Sequence, residues 1–475
     1  MQAKLSEAQE MPGNLADPAL LDRLARVLPP TALLTGDAID PHYHEDRRGK
    51  PSFPPRFILR PGSTAEVSAC LAACNDFAQP LVVHGGQTGL SGGHRIVRGE
   101  GVLSLQRLGA MGEVDRDSNT ILASAGVPLQ RVQEAADAAD RLFGVDIGSR
   151  GTATIGGNIA TNAGGIRVLR YGMFRAQVAG LETVLADGTV VASLRGLDKD
   201  NTGYDLNQLF IGSEGTLGVV TQASLRLHPK PVAAANAFLA VPSLAAALSL
   251  LERLRNAMGR ALSAFELMLP DAFDGVVAFL GTPRPVEAKA PFYVLTEVQA
   301  WREDDTIDSF TQCLMGALED GLALDAVVSQ SMREYQALWD IRDSCSDYCR
   351  SLDRISSGDL SVPVARMQSF LEESQAAIRA IDPDTEFLVF GHLGDGNLHY
   401  VIRTPGGAQA IDAAYRLAAA HGGSISAEHG IGVDKKPWLA LSRSPAEIAT
   451  MRRLKAALDP NAILNRGRIF DAKGE

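Results

Sequence analysis

Between residues 233 and 330 the apolar pattern alternates twice between strand and helix. This alternation constrains the fold more than any other stretch of the chain. Residues 237–241 read as a strand, 244–258 as an amphipathic helix and 264–268 as a second strand. The order then repeats: a strand over 292–299, a helix over 305–319 and a strand over 326–330. Two such β-α-β units point to a ferredoxin-like sheet with helices on one face. Pro229 and Pro231 flank Lys230 just upstream and mark a boundary, because each proline removes a ladder donor.

The segment before that boundary is built differently. Residues 1–50 read as a helical lead-in followed by a polar loop, and 56–60 as a strand. Ser63-Thr64-Ala65-Glu66 has the form of a capping box and opens a helix running to about 77. A strand over 80–84 feeds the glycine-rich run His84-Gly85-Gly86-Gln87-Thr88-Gly89-Leu90-Ser91-Gly92-Gly93. Glycine lets the backbone approach a ligand closely, and successive N–H groups then make a nest for a pyrophosphate. The run is neither G-x-G-x-x-G nor a Walker A loop, which counts against nicotinamide-Rossmann and kinase-type readings. A second glycine loop spans residues 153–165 and a third spans 212–218, each close to an apolar run. Three such loops suit a long ligand threaded between them. A dinucleotide such as FAD fits, although composition alone does not separate it from another nucleotide.

Downstream, His392-Leu393-Gly394-Asp395-Gly396-Asn397-Leu398-His399 lies between two strand-like runs and has hairpin chemistry, with Asp-Gly at its centre. If Asp395 and Gly396 form a two-residue loop, His392 faces His399, and directly opposed Cβ atoms lie roughly 4.5–5.5 Å apart. That spacing suits two imidazoles sharing one metal. Ser426-Ala427-Glu428-His429-Gly430 adds a carboxylate as third ligand and a further histidine. Two histidines and a carboxylate with an open position make a catalytic metal arrangement, not a closed structural one. A helix over 447–458 completes the chain's regular elements.

Composition sets the limits. A chain of 475 residues has room for two or three domains. Its net charge of −11, with no basic patch interleaved with aromatics, argues against a nucleic-acid partner. Cys70, Cys74, Cys313, Cys345 and Cys349 form no disulfide framework, so a reducing compartment is expected and the chain reads as cytoplasmic. The paired cysteines at i,i+4 read as small core residues. The first twenty residues carry Lys4, Glu7, Glu10 and Asp17 and lack the apolar core of a signal peptide. No stretch stands out as a transmembrane helix. Peripheral membrane contact is left open.

Taken together, the three glycine loops, Asn201-Thr202-Gly203-Tyr204-Asp205-Leu206, the histidine hairpin and Ala427-Glu428-His429-Gly430 resemble the vanillyl-alcohol-oxidase-like (PCMH-type) FAD family. The resembling branch holds the D-2-hydroxyglutarate and D-lactate dehydrogenases and the glycolate oxidase flavoprotein subunit, and the resemblance runs from about Arg56 to Phe470. It implies an α+β fold: a PCMH-type FAD-binding domain over 51–232, a ferredoxin-like cap over 233–425, and a C-terminal helical segment over 426–475 that returns to the FAD domain. It also implies FAD contacts from His84, Gly85, Gly86, Gln87, Thr88, Gly89, Ser91 and Gly92, then Gly148, Thr154, Gly156, Gly157, Thr161, Gly215, Val220 and Asn465. His84 does not align with the histidine that some relatives link to flavin, so non-covalent FAD is expected. In the metal-dependent branch His392, His399 and Glu428 align with the ligands of a divalent metal, zinc first. His429 aligns with the catalytic base, and Arg342 with an arginine that grips the substrate carboxylate.

The implied activity is oxidation of a D-2-hydroxy acid to the 2-oxo acid. Electrons would pass to an electron-transfer flavoprotein, a quinone or a cytochrome, and relatives of this kind are often homodimers. Three positions depart from the hydroxyglutarate enzymes: Ser346 stands for Thr, Ser357 for Lys and Val401 for Asn. Without the Lys and the Asn, a second substrate carboxylate lacks partners, and burying it unpaired is costly. The expected substrate is therefore not 2-hydroxyglutarate but a monocarboxylate with an apolar tail or an unusual hydroxy acid. Two rival readings are a partner-dependent subunit of a glycolate-oxidase-like complex and a flavin-dependent transferase resembling alkylglycerone-phosphate synthase.

Overall fold

A computed structural model describes residues 16–44, 49–197, 199–302 and 305–471. Most of the residues whose charges argue against a signal peptide, Lys4, Glu7 and Glu10 among them, lie outside the described residues. Within them, the lead-in helix is Pro18–Val27, capped by Asp17, whose side chain accepts the Ala19 N–H.

The first sheet is small and mostly parallel. Ile58–Leu59 and Leu81–His84 both run parallel to Gly101–Ser104, and Leu33–Leu34 adds an antiparallel edge. The helix Thr64–Asp76 starts at Ser63, whose side chain accepts the Glu66 N–H, and it buries Val67, Cys70, Leu71 and Cys74 against this sheet. A second sheet is antiparallel, in the order Met111–Asp115, Thr120–Ser124, Val219–Arg226, Val178–Val184, Val190–Ser193. The three glycine loops leave these two sheets and the short helix Ile155–Thr161.

In the third sheet, Asp325–Val328, Ala233–Val241, Phe292–Ala300 and Leu262–Met268 lie side by side, all antiparallel. This is the ferredoxin-like order expected from the double β-α-β pattern. The helices Leu244–Met258 and Thr306–Glu319 pack together on one face through Leu250, Leu254, Phe310 and Leu314, all fully or almost fully buried. Each such leucine contributes about 2 kcal/mol relative to exposure. Phe390–His392, Asn397–Arg403 and Ile355–Ser361 extend the same sheet, and the other face is covered by the helices Pro270–Leu280, Met332–Asp343 and Cys345–Ser351. The cysteines are free thiols, Cys70, Cys74, Cys345 and Cys349 being buried core residues.

The histidine hairpin forms with a register different from the expected one. Phe390, not His392, opposes His399, and residues 393–396 make a four-residue turn. A two-residue turn of the expected kind needs positive φ at both central positions. Gly396 has φ +81°, whereas Asp395 stays at negative φ. The wider turn leaves His392 and His399 on the same face as diagonal neighbours, with ring centroids 5.3 Å apart.

The chain's end returns to the first sheet. Leu81 N–H donates to the Ile463 carbonyl and Asn465 N–H to the Leu81 carbonyl. Ile463 and Leu464 join the core around Leu71 and Leu81. No helix among the described residues is long and apolar enough to cross a membrane.

Candidate active site

The site forms where the extended edge of the large sheet meets the glycine loops. Glu428 Oε1 lies 3.6 Å from both His399 Nε2 and His429 Nε2. The His399 and His429 rings stack, with centroids 5.6 Å apart. Glu428 Oε2 accepts the Gly165 N–H at 3.1 Å, which ties the group to the second glycine loop.

Asp359 completes this cluster from the strand Ile355–Ser361, where it pairs directly with His399. Its buried carboxylate accepts the backbone N–H groups of Glu428 (3.0 Å) and His429 (2.9 Å) and the side-chain amide of Asn397 (2.9 Å). Burial opposes its ionisation, but His429 and the buried Lys435 ammonium outweigh this and hold it well below the usual carboxylate range. Sequence reasoning missed Asp359.

His392 lies one ring further along. Its Nδ1 is 2.6 Å from Glu266 Oε1, and the other oxygen of Glu266 accepts Arg342 Nε–H at 2.7 Å. All three side chains are buried, and the Arg342 guanidinium lies over Phe390. Burial opposes charge on His392, yet the Glu266 carboxylate raises its pKa to about 9. The terminal guanidinium nitrogens of Arg342 and Nε2 of His392 have no partner among the described residues. Glu266 was also missed. A glutamate inside the apolar strand Leu262–Met268 is itself a signal, since a buried carboxylate needs partners.

The donor set fits a divalent metal. Ligand atoms of Asp359, His399, Glu428 and His429 all lie within 4.8 Å of one another. Imidazole nitrogens and carboxylate oxygens are the usual ligands of zinc and related ions. Because Asp359 already serves backbone amides and Asn397, His399 and Glu428 are the freer of the expected ligands, and His392, the third expected ligand, lies outside this group of four.

The first glycine loop fits a pyrophosphate. No backbone N–H from Gly85 to Gly92 finds a partner among the described residues, leaving a consecutive run of donors. A Cβ on Gly86 would sit 1.9 Å from the Thr152 carbonyl oxygen, so the first two loops pack backbone on backbone. Asn158 Nδ2 and Ser213 Oγ, in the second and third loops, are buried and without a hydrogen-bond partner among the described residues.

Other expected FAD contacts have internal work. The His84 ring is buried against Tyr43, its Nε2 is 2.8 Å from the His94 carbonyl, and its Nδ1 is 3.0 Å from the Gln87 amide nitrogen. Thr154 caps the helix Ile155–Thr161, Thr161 donates to the Gly157 carbonyl, and Gly156 packs on Ala125. Asn465 accepts the Val83 N–H and donates to the Glu214 carbonyl, clasping the strand Leu81–His84 to the third loop beside Gly215. Ser91 Oγ donates to the carbonyls of His429 and Gly430. Val220 is buried in its strand, Gly148 has open space around it, and Thr88 and Gly89 are at least partly exposed in the first loop.

Residues 55–193 match the family described as "FAD binding domain", and residues 230–469 match "FAD linked oxidases, C-terminal domain". The chain is 39% identical to a D-2-hydroxyglutarate dehydrogenase from Xanthomonas citri pv. viticola, covering 96% of this chain and 98% of the relative. It is 36% identical to one from Stutzerimonas stutzeri, covering 96% and 100%. A structure of p-cresol methylhydroxylase with substrate bound superposes with a TM-score of 0.77 at 14% identity, over 98% of this chain and 99% of the other, a likeness of fold. Fold and site thus define a FAD-binding oxidoreductase. Within that class the chain belongs to the FAD-linked oxidase family, among its FAD-dependent 2-hydroxyacid dehydrogenases.

Proposed function

We propose that the protein oxidises a D-2-hydroxy acid to the corresponding 2-oxo acid, with a metal held beside the flavin. The observation that carries this reading is Glu428 Oε1, placed 3.6 Å from both His399 Nε2 and His429 Nε2, next to the Arg342–Glu266–His392 chain. Arg342 binds the substrate carboxylate through its terminal N–H groups, a bidentate match. Glu266 holds that guanidinium and the His392 ring in fixed orientation. His399 and Glu428, with His392 on the neighbouring strand, would hold the metal, zinc first, and His429 would take the proton of the substrate hydroxyl. When bound, FAD would supply the acceptor for the Cα hydride and the metal a Lewis acid for the hydroxyl.

The substrate's far end meets the sheet beyond His399. Ser357 pairs directly with Val401, on the face that carries Asp359 and His399. Val401 is buried in the apolar cluster that also holds Phe390, Leu388 and Cys345. A hydroxyl and an apolar side chain offer no cation for a second carboxylate, which supports a monocarboxylate with an apolar tail over 2-hydroxyglutarate. The free thiols fit a reducing compartment such as the cytoplasm.

The test is turnover of D-2-hydroxy acids with an artificial electron acceptor, before and after chelation, in the parent and in His429→Asn. The reading expects His429→Asn to keep its flavin and lose roughly 100-fold or more in kcat, the usual range for a lost general base. Full turnover in flavin-loaded His429→Asn contradicts the base assignment. Flavin without turnover until an iron–sulfur partner is added supports the partner-dependent subunit instead.

A further inference from the structure

Residues 428–432 carry both Glu428 and His429, yet they belong to no helix or strand. Two carboxylates, the buried Asp359 and the half-buried Glu214, take their backbone N–H groups from opposite sides. Asp359, on the large sheet, accepts from Glu428 and His429. Glu214, in the third glycine loop, accepts from Ile431 through Oε1 and from Gly432 through Oε2, both at 2.7 Å. The segment is therefore suspended between the sheet that carries His399 and the loop that the family assigns to flavin.

Glu214 is itself held in an unusual pose. Its φ is +53°, its N–H donates to the Ala160 carbonyl at 2.7 Å, and its carbonyl accepts from Asn465 Nδ2 at 2.5 Å. The carboxylate makes no ion pair among the described residues. A buried carboxylate without a paired cation is tolerated when N–H donors satisfy it. Its fit to the segment is tight: a Cβ on Gly430, whose φ is +74°, would lie 2.8 Å from Glu214 Oε1. Glutamine at 214 could accept one N–H, but its amide nitrogen would face the other donor. The position calls for an anion.

We infer that Glu214 is a positioning residue that fixes the Glu428–His429 segment to the flavin-binding half of the molecule. Reorganisation of the third glycine loop then reaches His429 through two hydrogen bonds. The inference rests on the roles proposed above for Glu428 and His429, but part of its test does not depend on them.

The experiment compares purified, flavin-loaded parent, Glu214→Gln and Glu214→Asp. It measures amide hydrogen exchange over residues 426–434, zinc retention against a competing chelator, and kcat and KM separately. In Glu214→Gln, exchange in this segment is expected to rise roughly 10-fold or more while the core strands are unchanged. Zinc affinity and kcat are expected to fall roughly 10- to 100-fold, as for other groups that orient metal ligands. KM is expected to move far less, because Arg342 is untouched. Parental exchange over 426–434 in Glu214→Gln overturns the inference, whether or not flavin is retained. If neither variant folds, the parent decides: slow exchange at Ile431 and Gly432 upholds the inference, and exchange at the rate of an exposed loop overturns it. The exchange measurement stands even if no hydroxy acid is turned over, so failure of the enzymatic reading and failure of this one are separable.

Discussion

Ser357 lies directly across from Val401, on the strand next to the one that carries His399. The pair lies on the sheet face that carries Asp359 and His399 and presents no charge. Introducing Ser357→Lys together with Val401→Asn supplies a cation and an amide there. The double variant is expected to raise kcat/KM for a dicarboxylic 2-hydroxy acid relative to a monocarboxylic one by about 10-fold or more, since a hydrogen bond to a charged group is worth ~1.5–3 kcal/mol. Steady-state kinetics on paired substrates check this. An unchanged ratio would place the specificity elsewhere.

Glu266 serves Arg342 and His392 at once. Glu266→Gln leaves the buried guanidinium without its counter-charge, and breaking such a buried group costs about 3–5 kcal/mol. The variant is expected to unfold at lower urea and to bind substrate and metal more weakly together. Loss of one without the other would show that Arg342 and His392 do not depend on a shared carboxylate.

A second ion pair, made by the half-buried Arg167 to the fully buried Glu297, joins the two halves. Arg167, from the second loop region, binds Glu297 of the large sheet through two N–H groups at 3.0 and 3.1 Å and also binds Asp146. Trp339 Nε1 and the Tyr335 hydroxyl donate to the same Glu297. Arg167→Met is expected to destabilise by about 3–5 kcal/mol, whereas Arg167→Met with Glu297→Leu should recover much of that loss. Denaturant midpoints of the single and double variants decide it.

Acid sensitivity follows from His84. Burial is the largest cause of its depressed pKa, about 3 against 6.5 when exposed, and the neighbouring His94 adds to it. The folded value lies below the unfolded one, so between pH 6.5 and 3 the native state binds fewer protons and stability falls as pH falls. At pH 5 the loss from this residue is about 2 kcal/mol relative to pH 8. Thermal midpoints of the parent and His84→Asn across this range should converge as pH drops. Parallel curves would contradict a neutral, buried His84.

Much of this architecture was legible because local and tertiary signals agree. The helix Leu244–Met258 ends where its apolar period ends, and Ser243 caps it. The hairpin register was not legible, because the choice between a two- and a four-residue turn rests on the φ of Asp395, which sequence leaves open. Asp359, Glu266 and Glu214 escaped notice for a shared reason. Each is a lone acidic residue whose carboxylate partners are backbone amides or side chains at least 38 residues away, so no local spacing announces it. Gln87 and His84 bond to each other, a local pairing that glycine-loop chemistry alone does not reveal.

The central claim is best tested by anaerobic flavin bleaching of the purified, metal-analysed protein against paired D- and L-2-hydroxy acids of increasing tail size. The account predicts that D-acids with a single carboxylate bleach the flavin, that their L-isomers do not, and that His429→Asn slows the bleaching roughly 100-fold or more. A yellow protein that no D-2-hydroxy acid bleaches would contradict it.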